Sequence, residues 1–493
     1  MRRLRRLLEP RKNRVRRLTC ATVFPKGVWI LKKGNLKSGY AKRGQRLFLL
    51  SFIVLIVVGA LLLLIPGMYK ERLHWLDALF TSTSAVCVTG LACKPISSFS
   101  FWGQLVILLL IQLGGLGIMT LSASILLALG RGLSFSNSLM VSNLNDNFSL
   151  RGTESLLRTV MIYTFVAEGV GFIAILPGML YSNIDGFGTW EKLWGSLFLS
   201  VSSFCNSGMT TFPDSLESVH WAAKLPAALL AITGGLGVYV IYDLVQTWHD
   251  RTHRLRVHSR LVICTTFVLL AAGTIAIFFL SNNSELSNNV AKAGNHVAKV
   301  KDGLGWFDAF CFSVTSRTCG WNTAPMDKLS DPATWFIMVL MLIGGSPGST
   351  AGGIKTSTVA LALAGIFGTL RGDSETIVFK RRIPAGNVLR AQAIIIIFVI
   401  LSVIGALALE QMESQNPKWE SAGDDAIFEA VSALTTTGLS KGKSTSHLSH
   451  PGKGLLVLFM FLGRVGPFTA LLFLMGREKR GKLKYPEERV IIG

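Results

Sequence analysis

Four segments of the chain carry one pattern: FTSTSAVCVTGL (80–91), FLSVSSFCNSGM (198–209), FCFSVTSRTCGW (310–321) and FEAVSALTTTGL (428–439). In each, a Phe stands ten residues before a Gly, pairing Phe80 with Gly90, Phe198 with Gly208, Phe310 with Gly320 and Phe428 with Gly438. A second glycine motif follows 24 to 26 residues after each of these glycines: GGLG (114–117), GGLG (234–237), GGSPG (344–348) and GRVG (463–466). Two motifs in phase, the first recurring every 112 to 118 residues, define a tandem structural repeat. Any fold for this chain has to be built from four similar units.

The flanking sequence fixes the solvent. Apolar runs lie at 47–66, 102–129, 260–280, 333–345, 391–409 and 454–475, and several have the roughly 20 residues that cross hydrocarbon. Only 16% of residues are charged, where a soluble domain carries about a quarter. In lipid every backbone group must be satisfied internally, and runs of this length do so as helices. The segment between Phe and Gly reads as an amphipathic helix of about 10 residues, too short to cross, so it enters and returns. Irregular backbone at that depth survives only inside protein or beside a watery cavity.

The predicted fold is an all-α polytopic membrane protein of four tandem helix–pore loop–helix repeats. Eight transmembrane helices and four re-entrant pore helices surround one pseudo-fourfold ion pore. The repeats span 46–130, 158–246, 260–370 and 390–476. Cytoplasmic segments fall at 1–45, 131–157, 247–259, 371–389 and 477–493.

The net charge of +22 raises the question of nucleic acid, and its placement answers it. Clusters such as Arg2–Arg17, Arg251–Arg260, Lys380–Arg382 and Arg477–Lys484 all fall on one side of the alternating spans. Counting the flanking Arg46, Arg158, Arg260 and Arg390, that side holds 34 of the 50 Lys and Arg residues, which makes it cytoplasmic, with both termini there. A basic tail against anionic lipid explains residues 1–46 better than a nucleic-acid partner. That stretch has no cleavable signal pattern. The other face holds 17 of the 28 acids, and acids around a mouth concentrate cations, although solvated loops show the same bias. Seven cysteines without a C-x-x-C pair give neither a zinc site nor a disulfide framework.

A dehydrated potassium ion needs oxygen ligands, which backbone carbonyls can supply. Aiming consecutive carbonyls at one axis demands backbone angles that Gly tolerates. The four loops offer Cys87-Val88-Thr89-Gly90, Cys205-Asn206-Ser207-Gly208, Arg317-Thr318-Cys319-Gly320 and Thr435-Thr436-Thr437-Gly438. The candidate ion-binding residues are Val88, Thr89 and Gly90; Asn206, Ser207 and Gly208; Thr318, Cys319 and Gly320; and Thr436, Thr437 and Gly438, with K⁺ as the bound and transported ion. Each short helix would point its partly negative C-terminus at the path. Helix capping alone explains one such Gly but poorly explains four in register.

On these motifs, above all DALFTSTSAVCVTGL (77–91) and GGSPGSTAGGIKTST (344–358), the chain resembles the Trk/Ktr/HKT superfamily of potassium and sodium transporters over residues 46 to 493. With the tail YPEERVIIG (485–493) it is most similar to the KtrB-type ion-translocating subunit. Residues 1–45 are too polar for the extra helix pair of TrkH-type relatives. Sodium-preferring plant relatives carry Ser at the first-loop Gly, so Gly90 favours potassium. Arg317 fits the third-loop RTxG pattern of the family, and is expected to turn from the path toward an acid or pore-helix carbonyls. The resemblance further implies a homodimer in the cytoplasmic membrane and a separate cytosolic ring of RCK-type nucleotide-binding subunits. This chain has no G-x-G-x-x-G after a strand and is expected to bind no cofactor itself.

Gly345, Ser346, Pro347, Gly348, Ser349, Thr350, Ala351, Gly352 and Gly353, followed by Ile354 and Lys355, interrupt the second span of the third unit, because Pro347 removes a donor from a Gly-rich run. The resemblance makes this an intramembrane gate loop beneath the filter. A tight small-residue helix crossing is the alternative. GSTAGGIKT (348–356) nearly matches a phosphate-binding loop, but Ile354 separates Gly353 from Lys355 and a membrane run precedes it. Arg464, in the last span, is an intramembrane charge and thus a functional candidate, which the resemblance makes a barrier or latch against that loop. Glu168, in the first span of the second unit, is expected to pair with a basic group that the sequence does not identify.

A sodium-permeable or sodium-coupled member of the same superfamily remains an alternative function. A secondary carrier for an organic solute would show inverted repeats, whereas these units all run the same way. A membrane enzyme would need a carboxylate or His cluster, which is missing from the motifs.

Overall fold

A computed structural model describes residues 49–117, 153–182, 186–249, 254–282, 303–373, 375–416, 423–441 and 444–466, with Ile184 and Trp419. The basic segment 1–45, most of the loop 131–157, the insertion at 281–304 except its ends, and the tail 477–493 lie outside the described residues.

Among the described residues the chain is helix and loop apart from one small hairpin. Its helices in order are α1 (Leu49–Leu63), α2 (Trp75–Cys87), α3 (Phe101–Leu116), α4 (Thr153–Tyr181), α5 (Thr189–Cys205), α6 (Trp221–Leu236), α7 (Val238–His249), α8 (Val257–Asn282), α9 (Trp306–Thr315), α10 (Asp331–Leu342) and α11 (Thr356–Leu370). Strands β1 (Thr376–Val378) and β2 (Arg381–Ile383) pair antiparallel, and α12 (Ala385–Glu413), α13 (Gly423–Thr435) and α14 (His450–Val465) follow. Among the described residues, three helices are long and apolar enough to cross a membrane alone, within α4, α8 and α12. Their outer faces carry exposed Ile173, Phe267 and Leu407, as lipid contact requires.

Helix starts follow local chemistry. Ser100, Ser330 and Ser449 cap α3, α10 and α14 by accepting from the N–H groups of Gly103, Ala333 and Gly452. His220 Nδ1 does the same for Ala222 at α6.

Helix ends depart from the sequence expectation. Only the second span of the third unit was expected to break. Yet α3 ends at Gly117, α6 at Gly237 and α14 at Gly466, each glycine having positive φ. At Gly237 the chain bends by 94° into α7. The cause is shared: the last glycine of each in-phase motif takes a conformation that closes the helix.

Four short helices, α2, α5, α9 and α13, form the buried centre. They run 13, 17, 10 and 13 residues, so most exceed the ten expected. Phe80, Phe198 and Phe428 are wholly buried, while Phe310 is half-buried beside buried Phe312. Each short helix packs against the helix that follows the preceding short one, in a closed cycle: α3 on α5, α6 on α9, α10 on α13 and α14 on α2.

The closing contact carries a buried ion pair, Lys453 Nζ to Asp77 at 2.6 Å. Asp77 sits in the first turn of α2, where the helix dipole favours an anion. Lys453 sits in the first turn of α14, where the dipole opposes a cation, so it depends on Asp77. Asp77→Asn leaves Lys453 buried and uncompensated, and should cost about 3 kcal/mol of stability. Thermal unfolding in detergent reads this directly, and an unchanged midpoint would refute it.

Candidate functional site

The C-terminal end of each short helix turns through a left-handed residue before its glycine. Val88, Asn206, Thr318 and Thr436 have φ of 56°, 59°, 86° and 54°, and Gly90, Gly208, Gly320 and Gly438 follow at 100°, 71°, 75° and 88°. A β-branched residue in this region costs on the order of 1–3 kcal/mol and persists only where the surroundings impose it. Hydrogen bonds impose it here. Thr89 N donates to Ser84 O at 2.8 Å, Ser207 N to Ser202 O at 2.8 Å and Thr437 N to Ser432 O at 2.9 Å. The third segment differs, with Cys319 N and Gly320 N both donating to Thr315 O. Serine hydroxyls add a second tie, Ser84 Oγ accepting from Gly90 N and Ser432 Oγ from Gly438 N, both at 3.1 Å.

The four turns meet. A Cβ on Gly90 would overlap the carbonyl oxygen of Ser207, one on Gly208 that of Cys319, one on Gly320 that of Thr437, and one on Gly438 that of Thr89. The contacts run from first segment to second, third, fourth and back. They set the carbonyls of the four residues preceding the glycines side by side in one ring. Thr89, Ser207, Thr318 and Thr436 also bring buried hydroxyls that have no hydrogen-bond partner among the described residues. Such a ring offers neutral backbone and hydroxyl oxygens of the kind that can face a cation.

Segment 343–355 lies beside this ring as irregular backbone. Gly344 N donates to Ile354 O and Ile354 N to Leu342 O, both at 3.0 Å, which closes the loop on itself. Ser346 N donates to Gly235 O at 3.0 Å, Val238 N donates to Gly348 O at 3.1 Å, and Ser346 Oγ donates to Leu236 O, which pins the loop to the α6–α7 bend. Asn206 and Thr350 are hydrogen-bonded through their side chains at 2.9 Å. Gly352 has no room for a Cβ beside Thr436 Oγ1. Lys355 Nζ donates to Ala351 O at 2.6 Å.

Two arginines grip the loop. Arg464 donates through Nη1 to Thr350 O and through Nη2 to Gly114 O. Arg317 is buried, and its Nη2 donates to Gly344 O at 3.4 Å. Its acceptor is therefore a carbonyl of the loop, where an acid or a pore-helix carbonyl was expected. Glu168 was expected to meet a basic group, but its partner among the described residues is the neutral amide of Gln112, whose Nε2 donates to Glu168 Oε2 at 3.2 Å. Gln112 lies on α3 in another part of the sequence.

Sequence reasoning missed a third glycine set. Ser82 Oγ donates to Ile56 O at 2.7 Å, Ser200 Oγ to Glu168 O at 2.6 Å and Ser313 Oγ to Leu270 O at 3.1 Å, tying three short helices to α1, α4 and α8. Gly59, Gly171 and Gly273, each three residues beyond the acceptor, leave the space those serines occupy. On α12, Gly405 instead makes room for Phe459. Small residues at such crossings let helices approach closely in lipid.

Apolar helices of membrane-spanning length around a buried ring of backbone oxygens belong to the class of integral membrane proteins. The TrkH family, described as cation transport protein, matches residues 10–481, and the chain belongs to it. It is 33% identical over 95% of its length to Ktr system potassium uptake protein B of Vibrio alginolyticus, covering 99% of that protein. It is 31% identical to the Bacillus subtilis protein of the same name, covering 90% of this chain and 95% of that one. It is 32% identical to potassium/sodium uptake protein NtpJ of Enterococcus hirae, with the same shares covered. The crystal structure of the potassium transporter TrkH from Vibrio parahaemolyticus shares the fold, with a TM-score of 0.65 at 19% identity over 88% of this chain and 85% of that one.

Proposed function

We propose that this chain moves K⁺ across the cytoplasmic membrane through a channel-like pore of four tandem units, 46–130, 158–246, 260–370 and 390–476. The selectivity filter comprises residues 88–90, 206–208, 318–320 and 436–438. The observation that carries this is the cyclic overlap between each glycine and the next segment's carbonyl. Oxygens so arranged replace the hydration shell of a bare cation. The names of the Ktr relatives support potassium as the ion.

Segment 345–353 with Lys355 acts as the gate and Arg464 as its latch. Support comes from the hydrogen bonds joining that loop to Arg464, Arg317 and the α6–α7 bend. The relatives' description as parts of a Ktr system supports a multi-subunit assembly. We assign this chain a homodimer, a cytosolic RCK-type ring that binds the nucleotide, and cytoplasmic termini. A sodium-permeable variant of the same pore is the second reading, favoured by the potassium/sodium relative from Enterococcus hirae.

The test is uptake into purified proteoliposomes and into a host lacking its own potassium uptake systems. K⁺ flux with Na⁺ excluded supports the first reading, and comparable Na⁺ flux supports the second. Passage of neither ion would overturn both.

A further inference from the structure

A groove of about 390 Å³ opens between α10, α12 and α13, away from the ring. Its walls are hydrocarbon, from Trp335 and Val339 on α10, Val403 and Leu407 on α12, and Ile427 and Val431 on α13. Val339, Val403 and Leu407 are exposed, so the groove faces the bilayer and not another described helix. Along α12 its lining runs from Val399 to Glu410. That is about 16 Å of helix rise, close to the roughly 15 Å of hydrocarbon in one leaflet.

One end of the groove is different. Glu410 places its carboxyl group there, beside Gly423 at the start of α13. Glu410 Oε2 is buried and has no hydrogen-bond partner among the described residues. A carboxylate in such a place is costly unless a donor or a cation meets it. An apolar slot one leaflet deep, with a carboxylate oxygen at its head that no described residue meets, complements an amine-headed lipid in shape and charge.

We infer that the groove is a specific lipid site, holding one acyl chain of a phospholipid with a protonated primary amine, as in phosphatidylethanolamine. The headgroup ammonium donates to Glu410 Oε2, and the chain lies against Ile427 and Val431. A phosphatidylglycerol headgroup brings no cation, and a choline headgroup has charge but no N–H to donate. The site therefore ranks the ethanolamine lipid first and the glycerol lipid last. This inference does not depend on the proposed ion path.

The experiment uses the full chain in nanodiscs of equal phosphatidylethanolamine, phosphatidylcholine and phosphatidylglycerol, released into mild detergent and weighed by native mass spectrometry. Wild type should retain the ethanolamine lipid over the glycerol lipid by about tenfold. Glu410→Gln, which keeps the shape, should bring that preference to about twofold or less. Ala406→Trp, which fills the groove, should lose the retained lipid of every type. Should that variant misfold, Glu410→Gln still decides. Equal retention by wild type, or an unchanged preference in Glu410→Gln, overturns the proposal. So does a lipid-free dimer that Ala406→Trp splits into monomers, since a second copy would then be the occupant.

Discussion

Replacing Gly90 by Ser should reduce K⁺ flux by about tenfold or more and narrow the preference for K⁺ over Na⁺. The residue sits at φ +100°, and an added Cβ would overlap the carbonyl oxygen of Ser207. That oxygen is backbone, held because Ser207 N is itself fixed to Ser202 O, so it cannot swing aside as a flexible side chain could. The first and second segments must separate, and the ring loses its equal spacing. Selection between K⁺ and Na⁺ depends on how many oxygens reach the ion and how firmly they are held. A loss of about 1.4 kcal/mol in transition-state energy is already tenfold in rate.

Gly67→Ala is the matching control. Gly67 also has positive φ, at +93°, but nothing lies within 4 Å of its would-be Cβ. Backbone strain without a clash should leave flux and ion preference intact. The measurement is ⁸⁶Rb⁺ and ²²Na⁺ uptake into proteoliposomes at matched protein amounts. Wild-type flux and selectivity in folded Gly90→Ser would remove the ring from the conduction path. Gly438→Ser, which meets Thr89 O across the closing contact of the cycle, should reproduce the effect.

The parts of this architecture that were legible in the sequence are those written at constant spacing. Phe80 to Gly90 and its three counterparts keep one offset although the short helices run from 10 to 17 residues, so the added length of the longest lies on the N-terminal side of the Phe and no residue is inserted between it and the glycine turn. The glycines of α1, α4 and α8 escaped for the opposite reason. Gly59, Gly171 and Gly273 stand at varying distances from the ring glycines, because outer loops of different length intervene. Their role shows only once Ser82, Ser200 and Ser313 are seen lying against them. Partners joined across the fold were equally hidden. Lys453 with Asp77, Gln112 with Glu168 and Arg317 with Gly344 are each set by helix packing, which no local pattern encodes. The helix ends at Gly117 and Gly466 and the bend at Gly237 were within reach, since the motif that interrupts the third unit recurs in phase in the others. Their apolar context masked them, because a glycine inside a hydrophobic run reads as a packing site as readily as a helix end.

Truncating Arg464 to Ala should raise ion flux by about tenfold. Two effects act in the same direction. The guanidinium holds the loop to α3 and α14, accepting partners being Thr350 O and Gly114 O, and the loop loses that bridge. The charge itself also stands among apolar helices, and the groups that accept from it, Thr350 O and Gly114 O, are carbonyls and not carboxylates. A unit charge about 8 Å from a permeating cation at an effective dielectric of about 20 raises the energy of that cation by about 2 kcal/mol. Water in the path screens part of this, which brings the expected gain from about thirtyfold down to about tenfold. Arg464→Lys separates the two effects, because it keeps the charge and loses the fork that spans both carbonyls. If only Ala raises flux, the barrier is electrostatic. If Lys raises it equally, the bridge to the loop is what limits passage. Flux and regulation unchanged in folded Arg464→Ala vesicles would leave this arginine a structural tie between helices, and would move the gate elsewhere in the chain.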